Sequence, residues 1–469
     1  LNGEWAFDFD PDDAGRTGEW FKPGTHEWSK TIVVPYPWES KLSGVHEPDY
    51  RGVGWYHRKI AAPADWKAPE NRVFLIFGAI DWSATVWIDG QEVGQHANGY
   101  IPFEIDVTDL LADGKEHDLI VRAEDNNDPR TPTGKQINWY THTSGIWQTV
   151  YMEARGASHI DRFKTFPNVE NGSARIELAV SAQEDSRLEV RAVSPNGAFD
   201  TATAPVRGNR ASLVVKPKEV TLWTPDTPHL YDLTLQVVDG GNVVDEVATY
   251  FAIRSLETGK WQDQPFESVL LNGKPVYVQA ALHQSFHPDG IYTYPSDKII
   301  QEDLQLTRDS GLNSLRVHIK VEEPRFYYWA DKLGVLIWYD LPNFWRWSEA
   351  ATERFENTLR GSIHRDFNHP SIFLWVLFNE TWGLRGRDGY GHEQQKWVRS
   401  MYELTKRLDP TRLCEDMSPC NYDHVITDIN SWHFYINNYD AARNHIQNAV
   451  DSTYPGSPWN YVEGLTQKG

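Results

Sequence analysis

Two glutamates close short apolar runs in this chain, and what they could do together frames the rest of the sequence. Glu380 follows the run Ile372-Phe-Leu-Trp-Val-Leu-Phe378 through Asn379. That run is too short for a comfortable helix and too uniform for a half-exposed strand. It predicts a strand buried on both faces, as in a parallel sheet. Glu463 ends Trp459-Asn-Tyr-Val, and Gly464 leaves room beside it. An ionisable group at the end of a buried run costs free energy unless it is used or paired. Two carboxylates on the open face of a parallel barrel suit glycoside hydrolysis: one protonates the leaving oxygen while the other attacks the anomeric carbon or activates water. A separation of about 5–5.5 Å would mean retention, and about 6.5–9.5 Å inversion. The plain alternative for Glu380 is a structural carboxylate paired with an arginine.

The elements that must place these acids follow a strand–loop–helix grammar from about residue 256 onward. Strands are predicted at Val276–Ala280, Ser314–Val317, Val335–Tyr339, Ile372–Phe378, Arg412–Glu415, Asp428–His433 and Asn460–Glu463. Helical patterns lie between them at Lys298–Ser310, Pro324–Leu333, Ala351–Arg365 and Gln394–Leu408. Ser296 is the expected N-cap of the first, and Gly311 stands just past its end. Regular βα alternation implies a (β/α)₈ TIM barrel. Its last strand is missing from the count, so the sequence reads as a fragment. The two acids then close the fourth and seventh strands and face one another across the barrel mouth. Upstream, residues 1–156 carry short β-rich runs separated by turn signals at Asp89-Gly90, Asn98-Gly99 and Asp113-Gly114, the spacing of a jelly-roll sandwich. Residues 157–255 hold about seven further strands, the pattern of an immunoglobulin-like sandwich. Residues 256–469 form the barrel module.

At 469 residues the chain is too long for one ordinary core, and its 40% hydrophobic and 24% charged content is that of a soluble globular protein. A formal charge of -21 argues against nucleic acid and anionic lipid as partners. No apolar run is long enough to span a membrane. Cys414 and Cys420 are close enough in sequence to bridge, or to stay as free thiols. The chain opens at Leu1 without an initiator methionine or a leader, which leaves the compartment open and leans toward a periplasmic or secreted protein. Homo-oligomerisation is left open. Many of the 21 Trp, 21 Tyr and 19 Phe must fill cores, and several fall in polar, turn-rich stretches such as Trp139-Tyr140 and Trp345-Arg-Trp347. Flat rings with a polar edge suit a sugar, apolar on its faces and polar at its rim.

On these residues the chain resembles glycoside hydrolase family 2, the β-galactosidases, β-glucuronidases and β-mannosidases. The markers are Ile88-Asp-Gly-Gln-Glu-Val-Gly94 with Asn98-Gly-Tyr-Ile-Pro-Phe-Glu104, then Thr143-Ser-Gly-Ile-Trp147 and Leu222-Trp-Thr-Pro-Asp-Thr-Pro-His-Leu-Tyr231. Leu271-Asn-Gly-Lys-Pro275, Asn368-His-Pro-Ser-Ile372 and the Asn379-Glu380 pair complete them. The resemblance implies a jelly roll, an immunoglobulin-like domain and a barrel, with Glu380 as general acid/base and Glu463 as nucleophile of a retaining double displacement. Asn379 would donate to the sugar 2-hydroxyl, and Tyr435 would hydrogen-bond the nucleophile. Arg316 is the candidate for holding Glu463 ionised, and His433 could reach the sugar. His318, Gln284, Trp139, Trp345 and Trp382 are the remaining candidate substrate contacts.

Two departures qualify the resemblance. After the third strand the chain reads Asp340-Leu-Pro-Asn-Phe-Trp345, without the Glu and His of metal-dependent relatives, so no metal and no cofactor is expected. His283 and His287 flank Gln284 but lack an obvious third ligand. In the first module Trp139 stands where relatives bring an aspartate to the sugar 4-hydroxyl. The reading is therefore an exo-acting retaining glycosidase that takes a terminal β-D-sugar, or an α-L-arabinopyranoside of equivalent geometry, from a glycoside or oligosaccharide. One rival is a glucuronidase-type enzyme, favoured by Arg316, His318, Lys320, Arg385 and Arg387 near the mouth. Another is a carbohydrate-binding relative without turnover.

Overall fold

In the computed structural model, residues 1–66, 68–136, 139–183, 187–387, 389–418 and 422–467 are described. The turn signals fall where they were expected. Asp89 and Gly90 take the left-handed conformation, φ 49° and 83°, and join Ile80–Ile88 to Gln91–Asn98 as a hairpin. A seven-stranded antiparallel sheet runs Lys30–Val34, Gly3–Phe9, Gly52–Ile60, His117–Asp125, Ile80–Ile88, Gln91–Asn98, with Gly145–Ile146 added on Ile80–Ile88. A second sheet of Val150–Gly156, Asn71–Phe77 and Phe103–Asp106 completes this first module, whose core is rich in aromatic side chains such as Trp5, Trp38 and Tyr56.

Strict alternation builds the second module. Ala174, Ile176, Leu178 and Val180 of Ser173–Ser181 point inward, as do Tyr231, Leu233, Leu235 and Val237 of Tyr231–Asp239. They meet between a three-stranded and a four-stranded antiparallel sheet.

The third module holds five parallel strands in sequence order, numbered here within it: β1 (Ala280–His283), β2 (Ser314–Val317), β3 (Leu336–Asp340), β4 (Ile372–Phe378) and β5 (Leu413–Met417). Helices α1 (Asp297–Asp309), α2 (Pro324–Leu333), α3 (Glu349–Asp366) and α4 (His392–Leu408) alternate with them, and α5 (Tyr439–Ser452) follows. Ser296 caps α1 by accepting from the Ile299 amide, and Ser348 caps α3 the same way through Ala351. Every residue of β4 is buried, as its unbroken apolar run requires.

Three expected strands differ. Val276 donates its N–H to the Val269 carbonyl of the hairpin strand Glu267–Leu271, while Tyr277 and Gln279 bond the Asn313 side chain, so the first barrel strand begins only at Ala280. Residues 428–433 form no strand, because Asp428 accepts from Tyr402, Lys406 and the Cys414 amide while Thr427 bonds Ile429 locally. Asn460–Glu463 contributes only a single parallel bridge, Tyr461 to His424, since Asn460 sits at φ 67° and turns the chain out of extended geometry. Cys414 is a buried free thiol; Cys420 lies outside the described residues.

The modules are bolted together by buried polar contacts. Arg254 donates to the Pro370 and Ile372 carbonyls at 2.7 and 3.0 Å, and Trp223 to the Asp331 carbonyl at 2.9 Å. Asn368 joins the Thr165 amide and the Phe163 carbonyl, so the Asn368-His-Pro motif holds the second module against β4.

Candidate active site

At the C-terminal end of β4 the chain leaves extended geometry abruptly: Glu380 and Thr381 sit at φ 52° and 57°. Two successive non-glycine residues in the left-handed region are strained, a state that persists only where the surroundings enforce it. Asn343, fully buried after β3, does so here. Its carbonyl oxygen accepts from the Asn379 amide at 3.3 Å, and its NH₂ donates to the Trp382 and Asn379 carbonyls at 3.1 and 3.4 Å. The turn aims Glu380 into a cavity of about 480 Å³. His433 Nδ1 lies 2.9 Å from Glu380 Oε1, with both side chains about three-quarters covered.

Below Glu380 runs a polar network built from strand ends. Arg316 at the end of β2 donates through Nε to Asp340 Oδ2 at 2.9 Å, and through a terminal nitrogen to Asn379 Oδ1 at 3.0 Å and the Ser418 carbonyl at 3.1 Å. Asp340 closes β3 and also binds His318 Nδ1 at 2.9 Å. With its carbonyl oxygen held by Arg316, the Asn379 amide leaves its NH₂ for a ligand hydroxyl. Burial, with Arg316 and Lys135 alongside, lowers the His318 pKa below its ordinary value despite Asp340. On β5, burial pushes Glu415 up to about 8, and its one hydrogen-bonded oxygen accepts from Ser431.

Three indoles from three loops form one wall. Trp382 stacks on Trp139 with centroids 4.6 Å apart and 12° between planes, and on Trp345 at 5.1 Å and 23°. Trp345 is fixed by donating to the Gly134 carbonyl at 3.0 Å, while Trp139 keeps 53% of its surface exposed.

The structure thus gathers Glu380, Asn379, Arg316, His318, His433, Tyr435, Trp139 and Trp382 around one cavity, with Trp345 in the wall behind. Tyr435 is 90% exposed at the rim, its ring 5.2 Å from His433. Gln284 stands behind the lining and accepts from Lys135 Nζ at 2.9 Å. Glu463 is exposed and is not among the lining residues; the turn at Asn460 carries it away from strand geometry. Lys320, expected near the mouth, is instead buried against Glu322 at 2.9 Å and two backbone carbonyls. His283 uses both ring nitrogens on Ser285 and Tyr294. Among the residues of the site that escaped the sequence reading are Asp340, whose position at a strand end is the same signal that marked Glu380, and Lys135, which carries no local signal at all.

Family models agree with this architecture along the chain. Residues 1–154 match the sugar binding domain of glycosyl hydrolases family 2, residues 158–254 match the family 2 model itself, and residues 265–455 match the family 2 TIM barrel domain. The chain belongs to glycosyl hydrolase family 2. A Formosa agariphila protein provisionally named a β-glucuronidase is 27% identical to this family 2 chain over 439 residues, covering 90% of the chain and 52% of the relative. A β-galactosidase of Thermoanaerobacter pseudethanolicus is 24% identical over 94% of the chain and 57% of its own length. The chain therefore spans little more than half the length of these relatives. In fold it resembles β-glucuronidase 3 of Bacteroides uniformis, with a TM-score of 0.81 at 19% identity over 97% of the chain and 60% of that structure.

Proposed function

We propose that this chain carries the active site of a retaining exo-glycosidase that releases a terminal β-D-sugar, or an α-L-arabinopyranosyl unit of matching geometry. The reading takes residues 1–156 as a jelly-roll module, 157–255 as an immunoglobulin-like sandwich, and 256–469 as the barrel part that holds the chemistry. The observation that carries it is Glu380 itself: an acid on a strained turn at a barrel strand end, bonded to His433 and lining a cavity floored by Asn379 and Arg316. Asp340, the acid bonded to Arg316 of that floor, is spent on Arg316 and His318.

In this mechanism Glu380 gives its proton to the glycosidic oxygen as the C1–O bond breaks, and a second carboxylate closes on C1 to form a glycosyl ester. Glu380 then takes a proton from water as that water attacks C1 and releases the carboxylate. Glu463 is the residue proposed for the second role, on the strength of its place after Tyr461-Val462 and before Gly464. That role requires it to stand about 5–5.5 Å from Glu380 in the reacting enzyme. Asn379, oriented by Arg316, would donate to the 2-hydroxyl, a contact that strengthens as the oxocarbenium ion develops.

The acidic-sugar reading is favoured by the β-glucuronidase names among the relatives and by the two cations, Arg316 and Lys135, that line the cavity. Chromophore release from a panel of aryl β-D-galactoside, β-D-glucuronide and α-L-arabinopyranoside tests both readings. Glu380→Gln is expected to lower turnover by at least about 10²-fold. Undiminished turnover in that variant would remove the assignment, and an inverted product anomer would remove retention.

A further inference from the structure

The loop that closes the first module reaches across into the barrel, and its lysine ends in the cavity. Lys135 lines the same space as Glu380, Arg316 and Asn379 but belongs to a different module from all three. Only 9% of the residue is exposed. It donates to Gln284 Oε1 at 2.9 Å, and the Tyr140 ring lies 6.0 Å from Nζ. Neither contact supplies negative charge, and among the described residues no carboxylate approaches Lys135 closely enough to form an ion pair. Two neighbouring cations are ion-paired, Arg316 with Asp340 at 2.8 Å and Lys320 with Glu322 at 2.9 Å. Glu380 and Asp340 act on this ammonium only through space, so its remaining donors have no anionic partner in contact, and a ligand could supply one.

We propose that Lys135 is a specificity-determining residue, and that it binds an anionic group on the terminal sugar held in the cavity. The ammonium has three donors and uses one on Gln284, which leaves two for the oxygens of a carboxylate or a sulfate ester. Gln284, which is neutral, fixes where the ammonium points without cancelling its charge. The position is held from the backbone side as well. Gly134 sits at φ +55°, with the Ile319 carbonyl oxygen 2.4 Å from where a Cβ would be, and its N–H donates to Asn343. Burial and the nearby Arg316 lower the lysine pKa against the opposing charges of Glu380 and Asp340, and a bound anion would oppose that shift further. The inference rests on the glycosidase reading for its substrate, but the binding it describes does not require turnover.

The test compares wild type, Lys135→Gln and Lys135→Arg on aryl β-D-glucuronide, aryl 6-sulfo-β-D-galactoside and the neutral aryl β-D-galactoside. Calorimetric titration with free D-glucuronate and with galactose 6-sulfate runs in parallel. Lys135→Gln should raise KM for the acidic glycoside about 10- to 100-fold more than it raises KM for the neutral one, with partial recovery of that ratio in Lys135→Arg. Whichever acidic arm responds identifies carboxylate or sulfate as the group bound. Equal losses on acidic and neutral substrates, or an unchanged ratio, would overturn the proposal while leaving the glycosidase reading intact. If nothing is hydrolysed but Lys135-dependent binding of an acidic sugar is seen, the proposal stands and the glycosidase reading falls. Absence of both the acidic preference and the binding refutes it.

Discussion

Ser144 lies in the stretch that closes the first module, and its surroundings make a proton visible by counting. Its hydroxyl is 2.6 Å from Glu39 Oε1 and 2.8 Å from Asp125 Oδ2, and its amide donates to Glu39 Oε2 at 3.0 Å. One hydroxyl carries one hydrogen, so it cannot donate to two carboxylates. At least one acid must hold a proton and donate to Ser144 Oγ. Burial raises both, Glu39 to about 8, and the Arg51 guanidinium at 3.8 Å from Glu39 is too distant to reverse that. The sign follows. A carboxyl whose folded pKa lies above its unfolded value of 4.5 adds stability fully below that value, and the contribution is lost as pH rises through about 8. Glu39→Gln puts an amide NH₂ where the acid O–H donates and keeps an oxygen for the Ser144 amide. Relative to wild type, the variant should gain up to roughly 3 kcal/mol between about pH 5 and about pH 8. That is a ceiling, because Asp125 can take over part of the ionisation. Urea midpoints followed by tryptophan fluorescence across that range give the difference. Parallel curves for the two proteins, with a constant offset, would refute a protonated Glu39.

Other expectations follow from the same contacts. Gly383→Ala, at φ +74° with its Cβ placed 1.8 Å from the Phe344 carbonyl oxygen, should destabilise the turn that carries Trp382 by at least about 2 kcal/mol, read as a lowered melting temperature and altered tryptophan emission. Lys320→Met strands Glu322, which is fully buried, and should cost about 3–5 kcal/mol in chemical unfolding, while adding Glu322→Gln should recover much of it.

What the sequence disclosed depended on whether the signal was local. Alternation at Ala174 to Val180 and the uniform run at Ile372 to Phe378 report burial directly, so those strands fall where they were expected. The expected cap at Ser296 fixes its helix start through a side chain and an amide three residues on, whereas the Ser348 cap was not read and its helix begins two residues earlier than expected. The errors arise where pairing decides. Val276 is as β-prone as any strand residue, but its partner is Val269 in a hairpin rather than a barrel neighbour. The helix Tyr439–Ser452 was missed because it buries Ala449 alone and exposes Ile446 and Val450, so no apolar stripe marks it. In the site, Glu380 and Asn379 were legible as a polar pair ending a buried run. Lys135 was not, since a lysine in a turn-rich loop becomes functional only when another module covers it.

That covering is built from backbone and amide contacts more than from side-chain chemistry. Trp345 and Arg346 both donate their amides to the Pro129 carbonyl, and Gly134 donates to the Asn343 carbonyl. Arg354 of α3 adds an ion pair to Asp128 at 2.7 Å. The loop from Asp128 to Lys135 is thereby sewn to the segment after β3, and Asn343 on that segment grips the Asn379–Trp382 turn through its side-chain amide. One residue therefore binds the first module with its backbone and positions the Glu380 turn with its side chain. The first module acts as part of the wall and floor of the cavity, bringing Trp139 against Trp382 and Lys135 beside Arg316. Change in the loop of the first module can alter what the cavity accepts without touching the strand that carries Glu380, since its lysine and tryptophan are held independently of that strand's ladder.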